Sequence, residues 1–186
     1  ALPICSTNDN ALLAARAGAP HGSLFVADEQ TAGRGRLGRD WHDLAARAST
    51  TLPALTFSLG LPLSPLNWSG LSLAVGLSIA TSLHADIGLK WPNDLWLCEG
   101  NSDRKLAGIL IETCAVGSQR YVVIGVGINI VAPSLDPSAA QAALRTPAAW
   151  LQELLPTITA QGALENIILA LVQDILQFEQ HGFSPF

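Results

Sequence analysis

Cysteine is scarce in this chain, with only Cys5, Cys98 and Cys114 among 186 residues. The number is odd and the positions lack the close spacing of paired metal ligands, which argues against a disulfide framework and against a zinc site. Free cysteine usually packs as a small apolar side chain. We therefore expect three structural thiols in a protein of a reducing compartment, the cytoplasm.

Charged residues are also few, at 13% of the chain, and acids outnumber bases by 15 to 10. The net charge of −5 argues against a general nucleic-acid partner, because sequence-independent binding to a polyanion needs a broad basic surface. The apolar fraction of 49% predicts a large buried core and excludes a disordered protein. The length suits one domain, residues 1–186, since domains usually hold about 100–200 residues.

Long apolar runs are missing as well. No stretch approaches the roughly 18 consecutive apolar residues of a membrane span. The first residues do not form a basic segment followed by an apolar one, as an export signal would. No internal repeat and no low-complexity segment is present either. The sequence thus predicts a soluble cytoplasmic protein with no membrane partner.

Apolar periodicity, capping residues and turn formers predict alternating helices and strands. Helices are expected at 11–17, between Pro65 and Ile87, at 147–154 and at 157–180. Strands are expected at 23–29, 54–59, 89–91, 95–98, 106–113 and 121–130. The strands of the second half follow one another directly, which favours hairpins over helical crossovers. The predicted fold class is α+β, with a mixed, largely antiparallel sheet packed with helices.

The most distinctive motif is GRGRLGR at residues 33–39, named the glycine–arginine loop below, which holds three of the ten basic residues within six positions. Guanidinium groups bind phosphate or carboxylate through planar pairs of donors, and glycines let the backbone approach a ligand. The motif is not a P-loop, because the Gly-Lys-Ser/Thr ending is absent, and no helix pattern follows it as in a dinucleotide site. It predicts an ordered anion-binding loop, with a flexible basic turn of an RNA-binding kind as the alternative.

Three further motifs contain candidate functional residues. Residues 90–94 place a lysine and a carboxylate at the two ends of a turn fixed by Pro92. Lys105 opens a strand that Gly108 interrupts, and a strand glycine often marks a place where a ligand approaches the backbone. Glycines alternate at 125–129 before an asparagine amide. Each motif also has an ordinary explanation: a capped surface turn, a strand end with a solvated lysine, and a glycine-rich strand end.

Taken together in this order and spacing, the motifs resemble the catalytic domain of biotin–protein ligases. The similarity covers Ser6-Thr7-Asn8, residues 30–36, 90–94, 105–110 and 125–129, and the final helix with residues 183–185. The resemblance implies a fold shared with class II aminoacyl-tRNA synthetases and lipoate ligases. It also implies ATP-dependent formation of biotinyl-5′-AMP with release of pyrophosphate, followed by transfer of biotin to a lysine of a biotin carboxyl carrier protein. The implied ligands are biotin, ATP and Mg²⁺.

The resemblance also implies a role for each matching residue. The biotin-binding set is Ser6, Thr7, Asn8, Gln30, Gly33, Arg34, Gly35, Arg36, Lys105 and Gly108. The nucleotide-binding set is Arg36, Arg39, Trp41, Lys90, Asn93, Lys105 and Asn129. The catalytic residues are Lys105, Arg36 and Asp94, where Asp94 orients the incoming lysine amine or accepts its proton. Asn93 and Asp94 are the implied Mg²⁺ ligands. Trp91 is expected in the core. For Trp41, a packing role is the alternative to nucleotide binding.

Some features depart from the family's pattern. The resemblance covers a catalytic domain without the N-terminal DNA-binding domain and the C-terminal β-barrel domain of other members. We therefore expect no repressor activity. The resemblance leaves two alternatives, a naturally minimal ligase or a truncated one, and the adenylation site would be weakened in the second. The stretch between Trp41 and Ser58 is longer than usual, and Leu37 stands where a basic residue is often found.

Two other functions stay open. A lipoate or octanoate ligase or transferase shares the fold, but an aliphatic acyl chain has no use for the polar residues Ser6 to Asn8 or for the glycine–arginine loop. A non-catalytic binder of biotin or its adenylate is the second alternative. The cations and the carboxylate of the catalytic set argue against it. Both a monomer and a homodimer are compatible with the sequence.

Overall fold

The computed structural model of the protein describes residues 4–39, 41, 52–98, 100, 102–132 and 146–186. The helices in these ranges are α1 (Thr7–Arg16), α2 (Leu71–Leu83) and α3 (Ala160–His181). The strands are β1 (Ser23–Ala27), β2 (Ala54–Pro62), β3 (Ile87–Lys90), β4 (Asp94–Leu97), β5 (Arg104–Val116) and β6 (Gln119–Asn129). Short 3-10 turns lie at Arg36–Gly38 and Leu151–Glu153.

The six strands form one sheet in the order β1-β2-β6-β5-β4-β3, and each pairing between neighbours is antiparallel. Two isolated parallel bridges, Ile4 with Gln30 and Lys105 with Ala148, join loops to this framework. The predicted α+β class with a largely antiparallel sheet is confirmed. Because β5 and β6 are long and central, residues far apart in sequence meet on their surface.

The helices cover opposite faces of the sheet. Successive side chains of a strand point to opposite faces of the sheet, as those of β6 do. Val122 and Ile124 belong to the main core with α2 and α3, whereas Tyr121 and Val123 pack against Ala11 and other residues of α1. The main core includes Phe57 and Phe178, which are fully buried. Burying a side chain of this size stabilises the fold by roughly 1.5–3 kcal/mol. The α1 face of the sheet is therefore separate from the main core, and it carries the buried polar residues Thr7, Asn8 and Ser58.

The first helix begins earlier than its apolar pattern predicted. Ser6 adopts an extended backbone, and its hydroxyl accepts a hydrogen bond from the backbone N–H of Asp9 at 3.5 Å. Such a cap satisfies one of the free N–H groups of a first turn. Thr7 and Asn8 thus lie in the first turn of α1, and both face the sheet in buried positions.

The helix predicted at 147–154 is wrong. The backbone N–H of Lys105 donates to the carbonyl of Pro147 at 2.7 Å, and that of Ala149 donates to the carbonyl of Lys105 at 2.9 Å. The carbonyl of Pro147 and the N–H of Ala149 are therefore bonded to β5, and they are not available for hydrogen bonds within a helix. Only the 3-10 turn at Leu151–Glu153 remains. The loop predicted at 133–147 lies largely outside the described residues.

In the part of the chain that the structure describes, none of the helices combines the length and apolar character that a membrane crossing requires.

Candidate active site

A pocket of about 350 Å³ opens on the α1 face of the sheet. Its wall combines the start of α1, the glycine–arginine loop, the turn between β3 and β4, and the facing parts of β5 and β6. Thirteen of the residues predicted for the site line it: Ser6, Thr7, Asn8, Gln30, Arg34, Gly35, Arg36, Arg39, Trp41, Asn93, Asp94, Lys105 and Gly108. The four sequence motifs therefore converge on one cavity.

The floor of the pocket is made of paired glycines. Gly108 of β5 lies opposite Gly127 of β6 in the sheet register. The indole of Trp41 packs on this floor, since a Cβ built on Gly127 would come within 2.5 Å of Trp41 Cζ2. The backbone N–H of Trp41 donates to the carbonyl of Gly33 at 2.8 Å, which ties the indole to the glycine–arginine loop. The glycines thus make room for the Trp41 indole, and its predicted contact with the nucleotide stays a prediction.

One end of the pocket, named the head end below, is polar and buried. The backbone N–H of Thr7 donates to Gln30 Oε1 at 2.8 Å, and the Oγ of Ser58 lies 2.7 Å from Thr7 Oγ1 and 2.5 Å from Asn8 Oδ1. Gly125 has no side chain and so leaves room for Asn8. A Cβ at position 125 would overlap Asn8 Oδ1. These contacts hold the hydroxyl and amide groups of the first turn of α1 in fixed positions.

The opposite end is charged. Lys105 Nζ donates to Asp94 Oδ1 at 2.8 Å, across the neighbouring strands β5 and β4. The two side chains are about three-quarters buried, with exposures of 29% and 24%. Arg36 and Arg39 lie at the rim, and neither makes a side-chain hydrogen bond or ion pair with another residue of the described ranges. Cations in such positions can stabilise negative charge on a bound ligand.

The glycine–arginine loop has a tight backbone at this rim. The N–H of Gly35 donates to the carbonyl of Arg39 at 2.6 Å, which closes the loop around the 3-10 turn. Leu37 has a φ of 61° and is 82% exposed. A left-handed conformation costs a residue with a Cβ roughly 1–2 kcal/mol. Strain of this kind is typical of ligand-binding loops.

Arg34 differs from the other two arginines of the loop. Its Nη2 lies 2.6 Å from Asp9 Oδ1 and 2.8 Å from Glu112 Oε2. Glu112 Oε2 also accepts a hydrogen bond from Asn8 Nδ2 at 2.8 Å. The guanidinium of Arg34 thus binds two carboxylates of the protein, although the residue lines the pocket. Its predicted contact with biotin stays a prediction.

Three predicted residues do not line the pocket. Gly33 contributes its backbone to hold Trp41. Lys90 Nζ lies 3.5 Å from the centroid of the Trp96 ring, a cation–π contact on the β3–β4 hairpin. Asn129 Nδ2 donates to the carbonyls of Lys105 at 3.4 Å and Ala149 at 3.1 Å. In this geometry Lys90 and Asn129 therefore support neighbouring strands and loops instead of facing the cavity.

Trp91 was expected in the core, and this is wrong. Its side chain is 78% exposed and lines the edge of the pocket. Residues 91–93 form the turn between β3 and β4 at one edge of the sheet, where a side chain can project away from the core. Sequence reasoning thus missed Trp91 as a residue of the site, as it missed Ser58 and Glu112.

Comparisons with known proteins identify the family of the chain. The sequence profile described as the biotin/lipoate A/B protein ligase family matches residues 4–129. A biotin–acetyl-CoA-carboxylase ligase of Mycobacterium tuberculosis is 42% identical over 144 residues, which are 72% of this chain and 50% of that protein. One of Paracoccus denitrificans is 31% identical over 182 residues, 97% of this chain and 73% of that protein.

A similar fold is known from experiment. The biotin protein ligase of Aquifex aeolicus, solved in complex with biotin and ATP, superposes with a TM-score of 0.72 and 24% identity. The match covers 99% of this chain and 72% of that one. The chain spans about half the length of the first curated relatives it matches. Because the profile covers more than half of the residues and the Paracoccus relative is matched over most of both lengths, the chain belongs to the biotin/lipoate A/B protein ligase family.

Proposed function

We propose that the protein is an ATP-dependent biotin–protein ligase. It forms biotinyl-5′-AMP and pyrophosphate from biotin and ATP, and it then transfers the biotinyl group to a lysine of a biotin carboxyl carrier protein. The observation that carries the proposal is the arrangement of one pocket, with a buried polar head end at Ser6 to Asn8 and a cationic end at Lys105. The relatives from Mycobacterium tuberculosis and Paracoccus denitrificans, both named as biotin ligases, support it.

The head end suits the ureido ring of biotin, which offers one carbonyl acceptor and two N–H donors. Asn8 Nδ2 is already bonded to Glu112 Oε2 and, at 3.3 Å, to the carbonyl of Leu110. Asn8 Oδ1 can accept a further hydrogen bond, because an amide oxygen has two lone pairs. The hydroxyl of Ser6 can donate to the ureido carbonyl. A lipoyl or octanoyl chain has no ureido groups to use these remaining donor and acceptor positions, so it would gain fewer hydrogen bonds at the head end.

The first chemical step joins two anions. The biotin carboxylate attacks the α-phosphate of ATP, a bond forms between the carboxylate oxygen and phosphorus, and the bond to pyrophosphate breaks. Fixed positive charge lowers the barrier where negative charge develops. Lys105 supplies it from the wall of the pocket, and Arg36 and Arg39 supply it from the rim. Lys105 exchanges its bond with Asp94 for one with the ligand carboxylate.

The second step transfers the biotinyl group. The neutral amine of the carrier lysine attacks the acyl carbon of the mixed anhydride, and AMP leaves with the electrons of the acyl C–O bond. The amine must lose a proton, and Asp94, released from Lys105, accepts it in this scheme. The glycine–arginine loop at the rim limits the access of water, which would otherwise hydrolyse the anhydride. Trp41 and Asn93 lie on the nucleotide side in this scheme.

The residues present can hold Mg²⁺ only if bound ATP supplies some of its ligands. Among the described residues no group of three or more His, Cys, Asp or Glu side chains is arranged to hold a metal. Mg²⁺ commonly binds one or two carboxylates and completes its shell with phosphates and water. Asn93 donates through Nδ2 to the carbonyl of Ile109 at 2.8 Å, which leaves its amide oxygen as a ligand beside the Asp94 carboxylate. A metal held there would neutralise phosphate charge.

The proposal is tested by measuring pyrophosphate release from Mg-ATP with biotin, lipoate or octanoate as the only carboxylic acid. We expect release with biotin and at least tenfold less with the other two. Equal release with lipoate or octanoate would identify a ligase for those acids instead. Biotin binding without pyrophosphate release would identify a non-catalytic binder.

A further inference from the structure

Glu112 has no role in the reaction described so far, yet it connects two parts of the site. Its Oε2 accepts a hydrogen bond from Asn8 Nδ2 and another from Arg34 Nη2, both at 2.8 Å. The side chain lies on β5 and is 26% exposed. One carboxylate oxygen therefore joins the head end, on α1, to the glycine–arginine loop.

The charge on Glu112 determines the orientation of the Asn8 amide. An ionised carboxylate only accepts hydrogen bonds. The NH₂ group of Asn8 must then point toward β5, where the carbonyl of Leu110 accepts as well. The amide oxygen is left toward Ser58 Oγ, at 2.5 Å. A neutral amide at position 112 could donate as well as accept, so the carbonyl of Leu110, at 3.3 Å, would be left as the remaining group that can only accept from this NH₂ group.

The same carboxylate restrains the loop. Arg34 binds Glu112 together with Asp9, which follows Asn8 directly in the first turn of α1. Charge-assisted hydrogen bonds of this kind are shorter and about twice as strong as neutral ones. The Arg34 side chain is 41% exposed, so each ion pair alone contributes little. The shared Glu112 oxygen makes the loop and the Asn8 amide depend on one another.

We infer that Glu112 is a positioning residue that preorganises the head end: its carboxylate fixes the Asn8 amide and holds Arg34, so that Arg34 anchors the loop while Arg36 and Arg39 face the anion. The inference deepens the proposed function and rests on it for the identity of the ligand. It assigns to Arg34 a structural bond where the sequence predicted a contact with biotin.

The restraint on Arg34 is tested without any ligand. Trypsin must draw an arginine side chain into its own binding site before it cleaves, so the bonded Arg34 should be cut more slowly than Arg36. In Glu112→Gln we expect cleavage after Arg34 to become several-fold faster, with a smaller increase after Arg36, because Arg36 lies in the same loop but its side chain is not released by the substitution. Equal rates after Arg34 in the two proteins would overturn the inference.

The effect on recognition is tested by calorimetry with biotin. Glu112→Gln should weaken biotin binding about tenfold, with the KM for ATP changed less than twofold. Arg34→Gln should weaken it by no more than that, because the bond between Asn8 and Glu112 remains, and the double variant should match Glu112→Gln, which already removes the contact with Arg34. Additive losses, or unchanged binding in Glu112→Gln, would overturn the inference.

A matched control separates this effect from the loss of any surface carboxylate. Glu179, on α3, accepts a hydrogen bond from the backbone N–H of Ser64 at 2.6 Å and does not line the pocket. Glu179→Gln should bind biotin like the parent protein, and thermal unfolding should show that each variant is folded. If the parent protein itself does not bind biotin, the proposed function fails, while the tryptic pattern still decides whether Glu112 restrains Arg34.

Discussion

Lys105 Nζ and Asp94 Oδ1 are 2.8 Å apart, so the wall of the pocket holds a ready-made ion pair between β5 and β4. A carboxylate ligand that reaches Lys105 competes with Asp94 for the same ammonium group. In the proposed mechanism, binding of biotin then frees the Asp94 carboxylate for the transfer step. The two predicted catalytic residues are coupled by geometry, and their variants should affect different steps.

Lys105→Ala should abolish adenylate formation. The variant removes the cation nearest the reacting carboxylate, and deleting a group that stabilises developing charge commonly costs about 100- to 1000-fold in rate. Pyrophosphate release with biotin and Mg-ATP measures the effect, and thermal unfolding checks that the fold is intact. Normal release from a folded variant would show that Lys105 is not the activating cation.

Asp94→Asn should mainly impair transfer. An amide cannot accept the proton of the carrier lysine, and loss of a positioned base typically lowers a rate by about 100- to 10,000-fold. Single-turnover reactions started from purified biotinyl-5′-AMP isolate this step. If transfer proceeds at the parent rate while adenylation fails, Asp94 acts in the first step instead.

Gly125→Ala should disturb the head end. Its Cβ would overlap Asn8 Oδ1, and overpacking of a buried site typically costs about 1–3 kcal/mol. We expect the biotin dissociation constant to rise at least tenfold, as measured by calorimetry.

Gly162→Ala is the matched control for that variant. Gly162 lies in α3, and a Cβ there would meet its nearest atom at 3.4 Å, an ordinary contact. The substitution should stabilise the helix by about 0.5–1 kcal/mol and leave biotin binding unchanged. Equal effects of the two substitutions on biotin binding would contradict the assignment of Gly125 to the head end.

Lys90→Ala should affect stability more than nucleotide binding. The ammonium group lies over the Trp96 ring, and an exposed cation–π contact contributes about 0.5–1 kcal/mol. Chemical denaturation should show a loss of that size, with the KM for ATP changed less than twofold. A large increase in this KM would favour the role that the sequence predicted for Lys90.

The sequence predicted those pocket residues that stand in short motifs, where neighbouring residues in the chain already indicate a function. Lys105 and Asp94 stand in short motifs that combine a charge with a strand end, and the glycine–arginine loop is a local excess of charge. The glycines at 108 and 127 could be recognised as places of close approach, although not as a floor for Trp41.

Other parts depend on the register of the sheet. Ser58 and Glu112 contact Asn8 from 50 and 104 residues away, and only the assembled order of β2, β6 and β5 brings them to α1. One signal was available: Thr56 and Ser58 are polar side chains inside an otherwise apolar, fully buried strand, which implies polar partners. No comparable signal marked Glu112.

The helix predicted at 147–154 failed for a related reason. Its composition favours a helix, but Ala148 and Ala149 pair with the backbone of Lys105 instead. Tertiary hydrogen bonds override local propensity in such a short segment.

Transfer of biotin to a carrier tests the central claim most directly. The protein, biotin and Mg-ATP would be incubated with a biotin carrier domain and with a copy whose acceptor lysine is replaced by arginine, and both would be read by intact-mass spectrometry. The account predicts one biotinyl group on the intact carrier and none on the replaced copy. An unmodified carrier despite formation of biotinyl-5′-AMP would contradict it.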